Sequence, residues 1–121
     1  MTALNAAAIA ALPFTVELPP GFRIDAGRPG GDFNVYRISR EERPFVMIYA
    51  GPTSQFPIYT GDMVRVAGRA SIVSIEDGQR HALEHLFQRS SAPQEVHVWV
   101  SSVEGADRVV AERIAQSVDV R

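Results

Sequence analysis

Asp32-Phe33-Asn34-Val35-Tyr36-Arg37-Ile38, then Pro44-Phe45-Val46-Met47-Ile48-Tyr49-Ala50-Gly51 and Gln55-Phe56-Pro57, is the stretch that decides the fold. The first segment carries apolar side chains on both faces, Phe33 and Val35 on one and Tyr36 and Ile38 near the other, as a strand covered on both sides requires. The run from Phe45 to Ala50 is wholly apolar, so it belongs at the centre of a sheet with Met47 and Ile48 both buried. Between the two, Ser39-Arg40-Glu41-Glu42-Arg43 is short and charged. A parallel crossover needs a dozen or more residues, so the pair reads as an antiparallel hairpin.

Outward from this pair, Phe14, Val16 and Leu18 alternate with Thr15 and Glu17 as a half-buried strand, which Pro19-Pro20-Gly21 ends before a loop. The stretch from Ala26 to Gly31 holds three glycines and a proline. A phosphate cradle needs a helix after such a stretch, and a strand follows here, so it reads as a turn. Val64 to Gly68 and Ala70 to Glu76 read as two strands or one long bent one, closed by the turn signal Asp77-Gly78. Residues 79 to 89 admit two readings. Ala82, Leu83, Leu86 and Phe87 fit a helical stripe, whereas Leu83, His85 and Phe87 fit one face of a strand, and propensity alone favours helix. In Glu95 to Ser102, Val96, Val98 and Val100 share one strand face and His97 and Trp99 the other. The chain closes on an expected helix with a Ser101/Glu104 capping box, a Glu104–Arg108 pair and a stripe of Ala106, Val110, Ile114 and Val118 with Val109 beside it.

With 121 residues the chain is expected to form one domain, 13–121, preceded by an apolar segment 1–12 that reads either as a short helix on the sheet or as the remnant of a secretion signal. An envelope or secreted setting is the expectation that goes with the second. Asn5, Pro13 and Glu17 interrupt any run of transmembrane length. A net charge of −2 with scattered charges supplies no basic field for nucleic acid. All 12 basic residues are arginine, which removes Schiff-base and P-loop lysine chemistry, and the absence of cysteine removes thiol nucleophiles, disulfides and thiolate metal sites.

Two constellations could carry chemistry. His81-Ala82-Leu83-Glu84-His85 matches the inverted zinc-protease pattern H-x-x-E-H. On a helix it would set two imidazoles one turn apart beside a general base, with Glu104 or Glu112 as third ligand; on a strand Glu84 would face away from both histidines. The second is aromatic: Tyr49, Phe56, Tyr59, His97 and Trp99 could edge a concave site at one end of the sheet, where the alternative is that His97 and Trp99 lie under a helix with satisfied ring nitrogens. The carboxylate pairs Glu41-Glu42 and Glu76-Asp77 fall in expected turns, and no G-x-S-x-G elbow is present.

The series Leu18-Pro19-Pro20-Gly21-Phe22, Asp32 to Ile38, Ile48-Tyr49-Ala50-Gly51 with Phe56-Pro57, Val96-His97-Val98-Trp99, and Ala111-Glu112-Arg113-Ile114-Ala115-Gln116-Ser117-Val118 resembles small bacterial proteins of the PsbP-like fold. That fold is shared by an extrinsic photosystem II subunit and a eukaryotic Ran-binding factor, which dock onto partners rather than catalyse. The resemblance implies an α+β domain: a curved antiparallel sheet flanked by helices, the C-terminal helix packed on it, and a strand at 79–89 paired with 95–102. The expectation is therefore a non-catalytic binding module, without cofactor, for an unknown protein partner or a small ligand in an aromatic pocket. A zinc hydrolase built on His81, Glu84 and His85 is the rival.

Overall fold

A computed structural model describes residues 1–28 and 31–121. In chain order its elements are β1 (Thr2–Ala3), α1 (Ala6–Ala10), β2 (Phe14–Thr15), β3 (Phe22–Gly27), β4 (Asn34–Arg40), β5 (Arg43–Gly51), β6 (Asp62–Val66), β7 (Arg69–Glu76), β8 (Gln79–Gln88), β9 (Glu95–Val100), α2 (Gly105–Ser117) and β10 (Asp119–Val120). Eight strands form one sheet in the order β1-β3-β4-β5-β9-β8-β7-β6, with every adjacent pair antiparallel. β2 and β10 pair separately, which ties the end of the chain to Phe14.

Three hairpins set the register. Their two-residue turns, Glu41-Glu42, Ala67-Gly68 and Asp77-Gly78, have positive φ at both positions, the turn geometry that matches the right-handed twist of paired strands. The Asp77-Gly78 turn decides the ambiguous segment. It returns the chain as β8, whose backbone is then paired on both sides, by β7 and β9, and this tertiary pairing overrides helix propensity.

β5 and β9 lie at the centre of the sheet. One face carries Ile38, Val46, Ile48, Phe87, Val96, Val98 and Val100, and against it α2 buries Ala111, Ile114 and Ala115, with Val118 just beyond its end. Each fully buried Ile or Val contributes roughly 1.5–3 kcal/mol relative to exposure, so this layer anchors the fold. Two β-bulges bend the strands, and the residues they leave unpaired, Phe45 and Leu83, both enter the core.

Several expectations need correction. Phe22–Gly27 is a strand rather than a loop: Phe22, Ile24 and Ala26 alternate, and the proline pair in front of them hides the pattern. Of the expected strand 14–18 only Phe14–Thr15 is paired. The turn expected at 26–31 falls partly on β3 and partly on Pro29 and Gly30, which lie outside the described residues. Residues 1–12 form β1 and α1, with the Asn5 side chain accepting from the Ala8 N–H at 2.9 Å and Leu12 entering the core.

The Ser101/Glu104 capping box does not form. Ser101 extends the strand by donating its N–H to Phe45 O, Glu104 occupies the cap position without a side-chain cap bond, and Arg108 pairs with Glu76 and Glu112 instead of Glu104. The buried stripe is accordingly Ala111, Ile114, Ala115 and Val118, while Val109 is 58% exposed. Met47 is half-buried on the sheet face opposite α2, whereas Ile48 is fully buried. That second face is covered not by a helix but by residues 52–61, which cross from β5 to the edge strand β6.

Candidate functional site

The open face of the sheet carries the alternate residues of the central strands. Cross-strand pairing sets Tyr49 opposite His97, Met47 and Glu84 on either side of Trp99, and Leu86 beside His97. Glu84 and His97 are therefore diagonal neighbours on adjacent strands, within reach for long side chains. His97 Nε2 lies 2.6 Å from Glu84 Oε2, and the two residues are 2% and 0% exposed.

The segment 52–61 is pinned to this face at four backbone N–H groups. Thr53 N donates to Tyr49 Oη at 3.1 Å, and Ser54 N to Glu95 Oε1 at 2.7 Å. Ile58 N and Tyr59 N donate to Glu84 Oε1 at 2.9 and 2.7 Å. Glu84 thus serves two elements at once, orienting the His97 ring and holding down the loop. Every partner it has is a donor, the set that suits a carboxylate, so Nε2 carries the proton of the neutral imidazole. Burial lowers the His97 pKa below the ordinary histidine value, against the raising effect of its hydrogen bond and charge interaction with Glu84. The ring is neutral at pH 7, and its Nδ1 has no hydrogen-bond partner among the described residues.

Between the loop and the sheet lies a solvent-open cavity of about 700 Å³. Phe33, Tyr49 and Trp99 supply aromatic walls, Ile58 and Pro52 an apolar edge, and His97 a polar wall; Asp32, Thr53 and Gln55 complete the lining. The rings are stacked in tilted pairs, Phe33 on Tyr49 at 5.4 Å and His97 on Trp99 at 4.7 Å between centroids. Gly51 makes this arrangement possible. A Cβ there would come within 2.5 Å of Tyr49 Oη and 2.6 Å of Phe33 Cβ. A second cavity of about 420 Å³ on the other side of the loop is lined by Arg65, Arg69, Met63 and Leu86, with no buried polar pair in its wall.

Of the five aromatic-site residues expected from sequence, Tyr49, His97 and Trp99 line the cavity. Phe56 packs edge-on against the His97 ring at 5.5 Å and fixes it from the loop side, without lining the cavity. Tyr59 does not line it either; its hydroxyl donates to Val100 O, and burial followed by the charge of Glu84 raises its pKa. The sequence reading missed Phe33, Asp32 and Ile58, and it treated Glu84 only as a zinc-site base. No local signal marks Glu84 as the organising acid, because its pairing opposite Trp99 and its loop donors are long-range features.

The H-x-x-E-H residues diverge. His81 Nδ1 meets Glu112 Oε2 on α2 at 2.7 Å, His85 Nδ1 meets Ser71 Oγ at 2.7 Å, and Glu84 bonds on the cavity side. Glu112 is also held by Arg108 at 3.3 Å. Burial holds the His85 pKa down at about 4, so that ring is a neutral core group. Among the described residues no group of three His, Asp or Glu side chains could hold a metal ion, and no helix is long and apolar enough to cross a membrane. No protein-family model, curated protein or solved structure matches this chain.

Proposed function

We propose that this chain is a binding module, PsbP-like in kind, that takes a small and partly apolar molecule non-covalently in the cavity between residues 52–61 and the open sheet face. The observation that carries this reading is the Glu84 carboxylate, withdrawn wholly from water to hold both the His97 ring and the loop backbone. Burying an ionised group is costly unless its hydrogen bonds are made, and here they are spent on fixing a cavity wall and its cover. A cavity of this size suits a drug-sized ligand, with aromatic rings for contact area and few polar groups for orientation. Glu84 is the only side chain hydrogen-bonded to His97 among the described residues, so the pair positions and recognises rather than activating a hydroxyl.

The experiment is a titration of the protein with a panel of small aromatic and aliphatic molecules, read by the fluorescence of Trp99, the single tryptophan of the chain, and by melting temperature. Saturable changes in both signals with the same half-point support the reading. A panel that moves melting without moving Trp99 emission locates binding elsewhere and refutes it.

A further inference from the structure

The rings of Phe33, Tyr49, Trp99 and the neutral His97 line the cavity with one exposed carboxylate, Asp32, and no arginine among the described residues does. On the same sheet face, Arg37 is turned to the buried carboxylate of Asp25 at 3.8 Å. Behind the His97 wall stands Glu84, whose partners are two backbone N–H groups and a ring N–H, with no guanidinium among them. Negative charge therefore lies at the entrance, in Asp32, and behind the His97 wall, in Glu84, and the lining between them is rich in aromatic rings, whose quadrupoles favour a cation over an anion at their faces. Among the described residues no basic side chain lines this wall, and Arg28, whose guanidinium donates to Gly31 O at 3.0 Å, stands outside the lining.

We propose that the ligand of this cavity is an organic cation, an alkylated ammonium group seated against Phe33, Tyr49 and Trp99 with Asp32 at the entrance. The inference rests on the ligand-binding reading above and names its chemistry. The aromatic faces attract a cation whose charge is spread over methyl groups, because such a group surrenders little hydration on entering. A carboxylate or phosphate of equal size would face the same walls with the opposite sign. The cavity is larger than a trimethylammonium head, so it admits the group that carries the charge as well.

The test compares three molecules of nearly equal shape by Trp99 fluorescence and calorimetry: choline, its neutral carbon isostere 3,3-dimethyl-1-butanol, and the anion 3,3-dimethylbutanoate. Choline is expected to bind about ten-fold or more tighter than the neutral isostere, the anion weakest of all, and the preference to shrink with added salt. Asp32→Asn should weaken choline several-fold and leave the neutral isostere unchanged. Phe33→Leu, which keeps apolar area but removes a ring face, should do the same, with circular dichroism and melting confirming that both variants fold. Equal binding of choline and its isostere overturns the cation assignment and leaves the cavity reading standing. Failure of choline to perturb Trp99 at millimolar concentration overturns the assignment whatever the isostere does, and binding of the isostere alone then still supports the cavity. Equal losses for both molecules in Phe33→Leu also overturn it.

Discussion

Removing the Glu84 carboxylate should release the 52–61 segment from the sheet before it unfolds the domain. Glu84→Ala deletes the acceptor for Ile58 N, Tyr59 N and His97 Nε2, which lie 2.9, 2.7 and 2.6 Å from its oxygens. Hydrogen bonds to a charged group are each worth about 1.5–3 kcal/mol, which sets an upper bound well above 4 kcal/mol if all three donors stayed buried. They need not stay buried, because Ile58 is 46% exposed and its neighbours can reach water once the loop lifts. The expected loss is therefore roughly 2–4 kcal/mol, a fall in melting temperature of about 8–16 °C for a domain of this size. Glu84→Gln keeps an oxygen for the two loop amides and turns its NH₂ toward Nε2. It should cost about half as much and move the His97 proton to Nδ1, visible in the ring nitrogen shifts. Amide hydrogen exchange is the deciding assay: in Glu84→Ala, Ile58 and Tyr59 should exchange at least about a hundred-fold faster while the amides of Val96 and Val98 keep their protection relative to global stability. Unchanged exchange at Ile58 and Tyr59, with melting within about 0.5 kcal/mol of the parent, would refute the reasoning.

Stability should fall as pH drops from about 6.5 to about 4, because the unfolded chain protonates His85 near the ordinary value while the folded chain resists until about 4. The His85 share of the window is worth about 3 kcal/mol, and His85→Gln should remove that share in urea melts at stepped pH, leaving the smaller slope of the same sign from His97, whose pKa burial also lowers, and the lower limb where Glu76, held at about 2 by Arg108, protonates. Gly51→Ala should destabilise by about 1–3 kcal/mol and alter the near-ultraviolet circular dichroism, since its Cβ must displace Tyr49 or Phe33. Ile48→Ala should cost about 2–5 kcal/mol by denaturant melts, and Met47→Ala less than half of that, because only Ile48 lies in the layer under α2.

The sheet was legible where hydrophobic pattern and turn chemistry agreed. The run at Phe45 to Ala50, the short charged link at 39–43 and the alternation at Val96 to Val100 each place a strand and its faces without further help. β3 was obscured by Pro19-Pro20-Gly21, and β8 by residues that suit a helix equally well; pairing with β7 and β9 settles the latter, and pairing is a long-range property that no local window contains. The alternation from Glu95 to Ser102 puts His97 and Trp99 on one strand face, and both line the cavity. The residue that organises it, Glu84, was visible in the sequence only as part of a metal pattern, because its donors come from a loop 25 and 26 residues away. Phe33 and Asp32 precede their strand, and nothing in the sequence shows that Gly51 leaves them room beside Tyr49.

The central claim is that the cavity roofed by residues 52–61 is where this protein binds. The most direct measurement is a ¹H–¹⁵N correlation spectrum of the uniformly labelled chain, titrated with choline or with any molecule that the fluorescence panel selects. The account predicts the largest shifts at the Trp99 indole N–H and at the amides of Phe33, Tyr49, Thr53, Ile58 and His97, with the α2 amides from Ala111 to Ala115 unmoved. Shifts concentrated on α2, or around Arg65 and Arg69 on the other side of the loop, with the Trp99 indole unmoved, would contradict it.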